Sequence, residues 1–191
     1  MKAIDYKNIY YPPGGILLWL IIFLELITFG IALVVLAVYS NEDPILYHES
    51  SSKLNATYGA INTIFLLTSG FFMATSLQQF RKGNSQKSSL FILLTVLGGI
   101  LFLTLKSVEY QQKIEHGLVL GYDTFFNFYW LLTGFHVIHV LVGMVILISI
   151  YFGLKNEKKT MKLEDIEAGA AFWHMCDLIW LLLFPVLYLI F

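Results

Sequence analysis

The sequence predicts an all-α integral membrane bundle of five transmembrane helices, with its amino terminus in the cytoplasm and its carboxy terminus outside. Three observations predict it. Of the 191 residues, 58% are hydrophobic and 13% charged, the mean hydropathy is +0.72, and the apolar residues gather into five stretches long enough to cross a bilayer. Soluble chains carry about a quarter charged residues, and a 21.9 kDa domain this apolar has too little polar surface to cover itself. A soluble enzyme is thereby excluded. A formal net charge of -1 is also wrong for a nucleic-acid partner, which calls for a basic excess. The single cysteine, Cys176, has no partner for an internal disulfide.

Each span needs roughly 20 mostly apolar residues, rising about 1.5 Å apiece, to traverse about 30 Å of hydrocarbon. The first, Ile16 to Tyr39, follows the Pro12-Pro13-Gly14-Gly15 break. It is longer than the roughly 7 to 15 apolar residues of a signal sequence, so it is expected to stay in the mature protein. A polar turn over Asn41 to Pro44 separates it from the second, Tyr58 to Leu77, and Gly83-Asn84-Ser85 separates that from the third, Leu90 to Val108. The fourth runs from Phe125 to Phe152 and the fifth from Ala170 to Phe191. The connections are too short for a core of their own, which leaves one domain over 1–191. No internal repeat is present, so nothing supports an inverted-repeat transporter.

The orientation comes from Lys and Arg. Lys2, Lys7, Arg81, Lys82, Lys87, Lys155, Lys158, Lys159 and Lys162 fall on one side, and only Lys53, Lys106 and Lys113 on the other. The richer side is expected to be cytoplasmic.

Ionisable side chains within spans are costly and usually face the bundle interior. Glu25 lies in the first span, His136 and His139 in the fourth, and His174 and Asp177 in the fifth. Glu25, His139 and Asp177 lie roughly 12 to 20 Å from the cytoplasmic ends of their spans at the helical rise, a depth that allows one shared layer. The i, i+3 spacing puts His136 with His139, and His174 with Asp177, on common helix faces. Glu25 reads either as a proton-handling or gating carboxylate, or as a protonated or hydrogen-bonded carboxyl joining two helices. The histidines read either as interhelical hydrogen-bonding groups or as ligands, with His139 and His174 as axial ligands of a haem. A metal site needs three or four ligands at short range, and one i, i+3 pair supplies two.

Trp19, Trp130, Trp173 and Trp180 read as interface anchors or bundle packing. Gly98, Gly99, Gly134 and Gly143 read as points of close helix approach. The Arg81-Lys82 and Lys155 to Lys162 clusters read as topology signals, with anionic lipid headgroups as the alternative contact.

Several strings are distinctive. The run from Ala171 through Trp173, His174, Asp177 and Trp180 to Pro185 resembles the final-helix signature of subunit III of the haem-copper respiratory oxidases. Gly134-Phe135-His136 with His139 and Gly143 resembles another helix of that family. Ser107 with Glu109-Tyr110 resembles its Ser-Glu-Tyr element, and Ile61-Asn62-Thr63 through Leu67-Thr68-Ser69 its Leu-Asn-Thr to Leu-Thr-Ser run. Phe23 to Phe29 aligns with the helix carrying the family's intramembrane Glu, known for carbodiimide reactivity, which falls at Glu25.

The resemblance implies a non-catalytic accessory subunit of a haem-copper terminal oxidase, in a complex that couples O2 reduction to proton pumping in aerobic respiration. It implies no haem or copper in this chain, both being expected in the partner catalytic subunits, and it implies contact with catalytic subunit I, other oxidase subunits and membrane phospholipid. It also implies a bacterial cell (inner) membrane location and makes the histidines structural. Seven-helix members carry two further amino-terminal helices; this sequence resembles the five-helix forms of quinol oxidases and those beside nitric oxide reductases, so an accessory role there is the alternative. The family's headgroup-binding Arg falls at Gly153, leaving Lys155 as the candidate lipid ligand. Two readings from other classes are a small haem protein using His139 and His174, and a proton-coupled carrier built round Glu25.

Overall fold

The structure, a computed structural model, describes residues 12, 14–156 and 161–191. It contains α1 (Ile16–Glu42), α2 (Pro44–Ser51), α3 (Ala56–Arg81), α4 (Ser85–Glu115), α5 (Thr124–Lys155) and α6 (Leu163–Tyr188), with no strand among the described residues. All but α2 are long and apolar enough to cross a membrane. Lys2, Lys7, Pro13, Lys158 and Lys159 lie outside the described residues.

The helices overrun the expected spans because capping groups, rather than hydropathy, end them. Asn55 begins α3 by accepting from the Thr57 amide at 3.0 Å, and Asp123 begins α5 by accepting from the Phe126 amide at 2.6 Å. Gly83 and Gly117, with φ of 81° and 73°, turn the chain out of α3 and α4. The amides of Asn84 and Leu118 then reach back to the carbonyls of Gln79 and Lys113 at 3.0 and 2.9 Å. As a result α4 continues to Glu115 instead of stopping at Val108. Lys106, near the expected end of the third span, and Lys113, beyond it, were counted with Lys53 as side-marking charges; both lie in α4 and both are buried.

The connection between the first two spans was expected as a plain turn, yet it holds α2. Asp43 accepts from the Leu46 amide at 3.1 Å and Pro44 takes the first helical position. The helix is pinned by Tyr47, whose buried ring meets Phe125 and Phe191 edge-on at 5.7 and 5.5 Å. Ser50 adds a hydrogen bond from its Oγ to Asp123 Oδ2 at 2.5 Å. Burial first, and then the Asp123 carboxylate, push the Tyr47 phenol up to about 12.

The most buried span is α6, packed on α3, α5 and α1, while α3 and α4 form an antiparallel hairpin and α4 also packs on α5. The least buried is α1. Trp173 is the centre of this arrangement. Its ring lies so close to Gly99 of α4 and Gly143 of α5 that a Cβ there would sit 2.8 and 3.0 Å from ring carbons, and its Nε1 donates to Ser69 Oγ of α3 at 2.8 Å. Gly98 admits Ser69 in the same way. Gly134, expected to do likewise, has nothing within 4 Å of an added Cβ. Trp173 and Trp180 are fully buried, so their role is packing and the interface-anchor alternative is corrected for both.

Candidate functional site

Two acid–histidine pairs lie within the spans. Glu25 of α1 meets His139 of α5, with Oε2 and Nε2 3.2 Å apart, so this carboxylate joins two helices. The His139 Nδ1 lies 2.8 Å from the Phe135 carbonyl, which can only accept, so Nδ1 carries a proton. Nε2 and Oε2 are within ion-pair distance but are not aligned as a hydrogen bond, so the buried Oε2 has no hydrogen-bond partner among the described residues.

The second pair is His174 and Asp177 of α6, with Nδ1 3.3 Å from Oδ2. Asp177 occupies space opened by Gly70 of α3, where any Cβ would collide with the carboxylate. Its Oδ1 is buried and has no hydrogen-bond partner among the described residues. Cys176, next to Asp177 in α6, is buried. The two acid–histidine pairs are separate, and no group of three or more His, Cys, Asp or Glu among the described residues is placed to hold a metal ion. With one ring nitrogen of His139 facing Phe135 and the other Glu25, axial ligation of a haem there would break the Glu25 contact.

His136 shares an α5 face with His139 but has a different setting. It is fully buried, stacked on Trp180 at 5.4 Å and edge-on to Phe102 at 5.6 Å, and neither ring nitrogen has a hydrogen-bond partner among the described residues. The Trp180 indole N–H donates to Thr63 Oγ1 at 2.9 Å. Asn62, beside Thr63, is also fully buried and its side-chain amide has no such partner.

Sequence reasoning missed a buried cluster centred on Lys106 of α4. Lys106 Nζ donates to Glu109 Oε2 at 2.9 Å, to Tyr129 OH at 3.1 Å and to Tyr188 OH at 2.8 Å, which uses all three ammonium protons. The Tyr188 hydroxyl donates to Glu109 Oε1 at 2.8 Å and closes the ring of contacts. Rings of Tyr110, Tyr129, Trp180 and Tyr188 surround the ammonium at 4.8 to 5.5 Å, and Tyr110 itself donates to Thr133 at 2.9 Å. The signal that could have revealed Lys106 is its i, i+3 spacing to Glu109 on a helix continuing past Val108.

At the other end of the bundle, Arg81 was read as a topology or headgroup charge. It instead ties α3 to α6 through Glu167, Nη2 to Oε1 at 2.7 Å, with the carboxylate buried. Lys155, on the last turn of α5, is exposed, with its ammonium 5.2 Å from the Tyr151 ring centre. Gly153 lies buried beneath Met161. Met161 also lines a groove of about 570 Å³ between α1, α5 and α6, together with Leu18, Ile146 and Phe172 among others.

A family model described as Cytochrome c oxidase subunit III matches residues 54–190. The chain is similar to the cytochrome c oxidase subunit 3 of Rhipicephalus sanguineus, 32% identical over 132 residues that cover 67% of this chain and 49% of that protein. It is similar to that of Corynebacterium diphtheriae, 28% identical over 149 residues, covering 75% of this chain and 71% of the relative. The cytochrome bo(3) ubiquinol oxidase subunit 3 of Buchnera aphidicola is 27% identical over 179 residues, covering 90% of this chain and 91% of the relative. The chain spans about half the length of several curated relatives it matches.

Proposed function

The chain belongs to the cytochrome c oxidase subunit III family, and from that premise we propose that it is a non-catalytic accessory subunit of a haem-copper terminal oxidase. In this reading it lies in a bacterial inner membrane with its amino terminus cytoplasmic and its carboxy terminus outside. It packs against catalytic subunit I, which carries the haem and copper, and electrons do not pass through it. Its contribution is to stabilise that subunit and to sustain turnover.

The observation that carries the reading is the family match, read with a polar interior whose groups face one another. Glu25 engages His139, Lys106 engages Glu109 and two tyrosines, and His139 is not open for ligation without losing Glu25. These contacts fix helices; none presents a reacting group to a substrate. The bacterial relatives from Corynebacterium and Buchnera support the location. Lys155, exposed on the last turn of α5, is proposed as the phospholipid headgroup ligand. As a point charge it would hold a phosphate without the paired geometry of an Arg.

The test is purification of the membrane complex in mild detergent with Glu25→Gln or Asp177→Asn in this chain. The expected result is an unchanged haem spectrum with activity lost early during sustained turnover. Loss of a haem signal from an otherwise intact complex overturns the reading, and copurification with a nitric oxide reductase in place of an oxidase reassigns the partner.

A further inference from the structure

His174 is the unusual group on the outside of the bundle. It lies seven residues, about 10 Å at the helical rise, beyond Glu167, whose pairing with Arg81 marks the cytoplasmic end of α3. Yet 45% of its side chain is exposed. An imidazole is too short to lift its polar edge back to the headgroups as a lysine does, and an ionisable group turned toward lipid at this depth is costly.

The surroundings define one face. On α6 the spacing of His174, Leu178, Leu181 and Leu182 places them on a single stripe, and all four are exposed. The stripe is bordered on one side by α3, where Asp177 and Phe184 sit against Gly70 and Gly59. On the other side Val186 and Ile190 line a groove with Leu33 and Val34 of α1. The exposed stripe is therefore the floor of a trough between α1 and α3, roofed by no element among the described residues.

The trough also has a defined hydrogen-bonding demand. A net-neutral His174–Asp177 pair has two forms. In one, an imidazolium faces a carboxylate; in the other, a carboxylic acid donates to Nδ1 of the neutral ring. In both, the proton-bearing outward atom is Nε2. Nothing among the described residues accepts from it.

We propose that this trough is the docking surface for a transmembrane helix of the haem-bearing catalytic subunit, and that this helix presents a hydrogen-bond acceptor, a carboxylate or a side-chain carbonyl or hydroxyl oxygen, to Nε2 of His174. The leucines of the stripe supply the van der Waals surface, and Asp177, seated on Gly70, is a positioning residue that holds the imidazole outward. The proposal rests on the oxidase-subunit reading and specifies where that contact is made.

The experiment places a photo-crosslinking amino acid at Leu178 in the full chain within native membranes, with Leu97, exposed on α4, which packs on α3 and α5, as the control. The expected result is a crosslink from Leu178 to the haem-bearing subunit, identified by its haem and its mass, and none from Leu97. His174→Leu, in chain that reaches the membrane at wild-type level, is expected to retain the haem-bearing subunit about tenfold less well, the scale of one lost hydrogen bond. His174→Gln, which keeps a donor, should retain it. If wild-type chain copurifies with haem while Leu178 crosslinks only to lipid, or if His174→Leu retains the haem-bearing subunit fully, the docking proposal is overturned and the oxidase reading survives. If wild-type chain copurifies with no haem-bearing subunit, both fall.

Discussion

Lys106 and Glu109 are each 1% exposed at the side chain, and the pair is held by two tyrosine hydroxyls as well as by its own contact. Charges this deep are stable only as a set, because removing one partner strands the other in low dielectric. Lys106→Met is thus expected to cost about 3 to 5 kcal/mol, read as a lowered thermal unfolding midpoint in detergent micelles. Lys106→Met combined with Glu109→Gln should recover much of that loss, since no charge is then left alone; a double variant as unstable as the single would show that the ion pair is not the source. At this scale the sequence was partly legible. Glu25, His139 and Asp177 announced themselves as ionisable groups inside apolar runs, and the structure gives each a histidine or acid partner. Lys106 did not, because a hydropathy boundary at Val108 made it look like a helix-end charge. Nor can sequence say that Arg81 bonds to Glu167, since that contact depends on how α3 and α6 cross.

The five long helices were legible because hydrocarbon thickness fixes their length and composition. The short α2 was not: eight residues opened by a proline carry no membrane signal, and what holds them is the distant aromatic surface of Phe125 and Phe191. Tyr47 ties that helix down as a neutral phenol. Its value of about 12 exceeds the unfolded 10.0, so the stabilisation it gives is complete below the unfolded value and is lost as pH rises through the folded one. Alkaline titration should accordingly show a share of the tyrosinate absorbance rising near pH 12 that is lost in Tyr47→Phe; the same curve for both proteins would contradict the burial. The glycines of α4 and α5 separate in the same physical way. Gly99→Ala pushes a Cβ into the Trp173 ring and is expected to destabilise, by about 1 to 3 kcal/mol if the ring must move. Gly134→Ala meets open space and should be neutral or stabilising by up to about 1 kcal/mol through helix propensity. Thermal unfolding of the two variants side by side checks the contrast.

Across the whole molecule, the polar groups fall into two regions with different character. One half is closed: Lys106, Glu109, Tyr129 and Tyr188 satisfy one another and bind α4, α5 and α6 together. The other half is more open, with Glu25–His139 partly exposed and His174 turned outward beside Asp177. Hydrogen-bonding capacity left open on one half fits the proposed accessory role, in which a neighbouring subunit covers it. The proposed function is to stabilise an oxidase whose redox chemistry belongs to its partner subunits. The most direct test compares the purified oxidase with and without this chain, recording its haem spectrum and its O2 consumption over many turnovers. The account predicts the same spectrum and the same initial rate, with activity decaying early when the chain is absent. Loss of a haem from the spectrum on removing the chain, or a haem spectrum in the isolated chain, would contradict it.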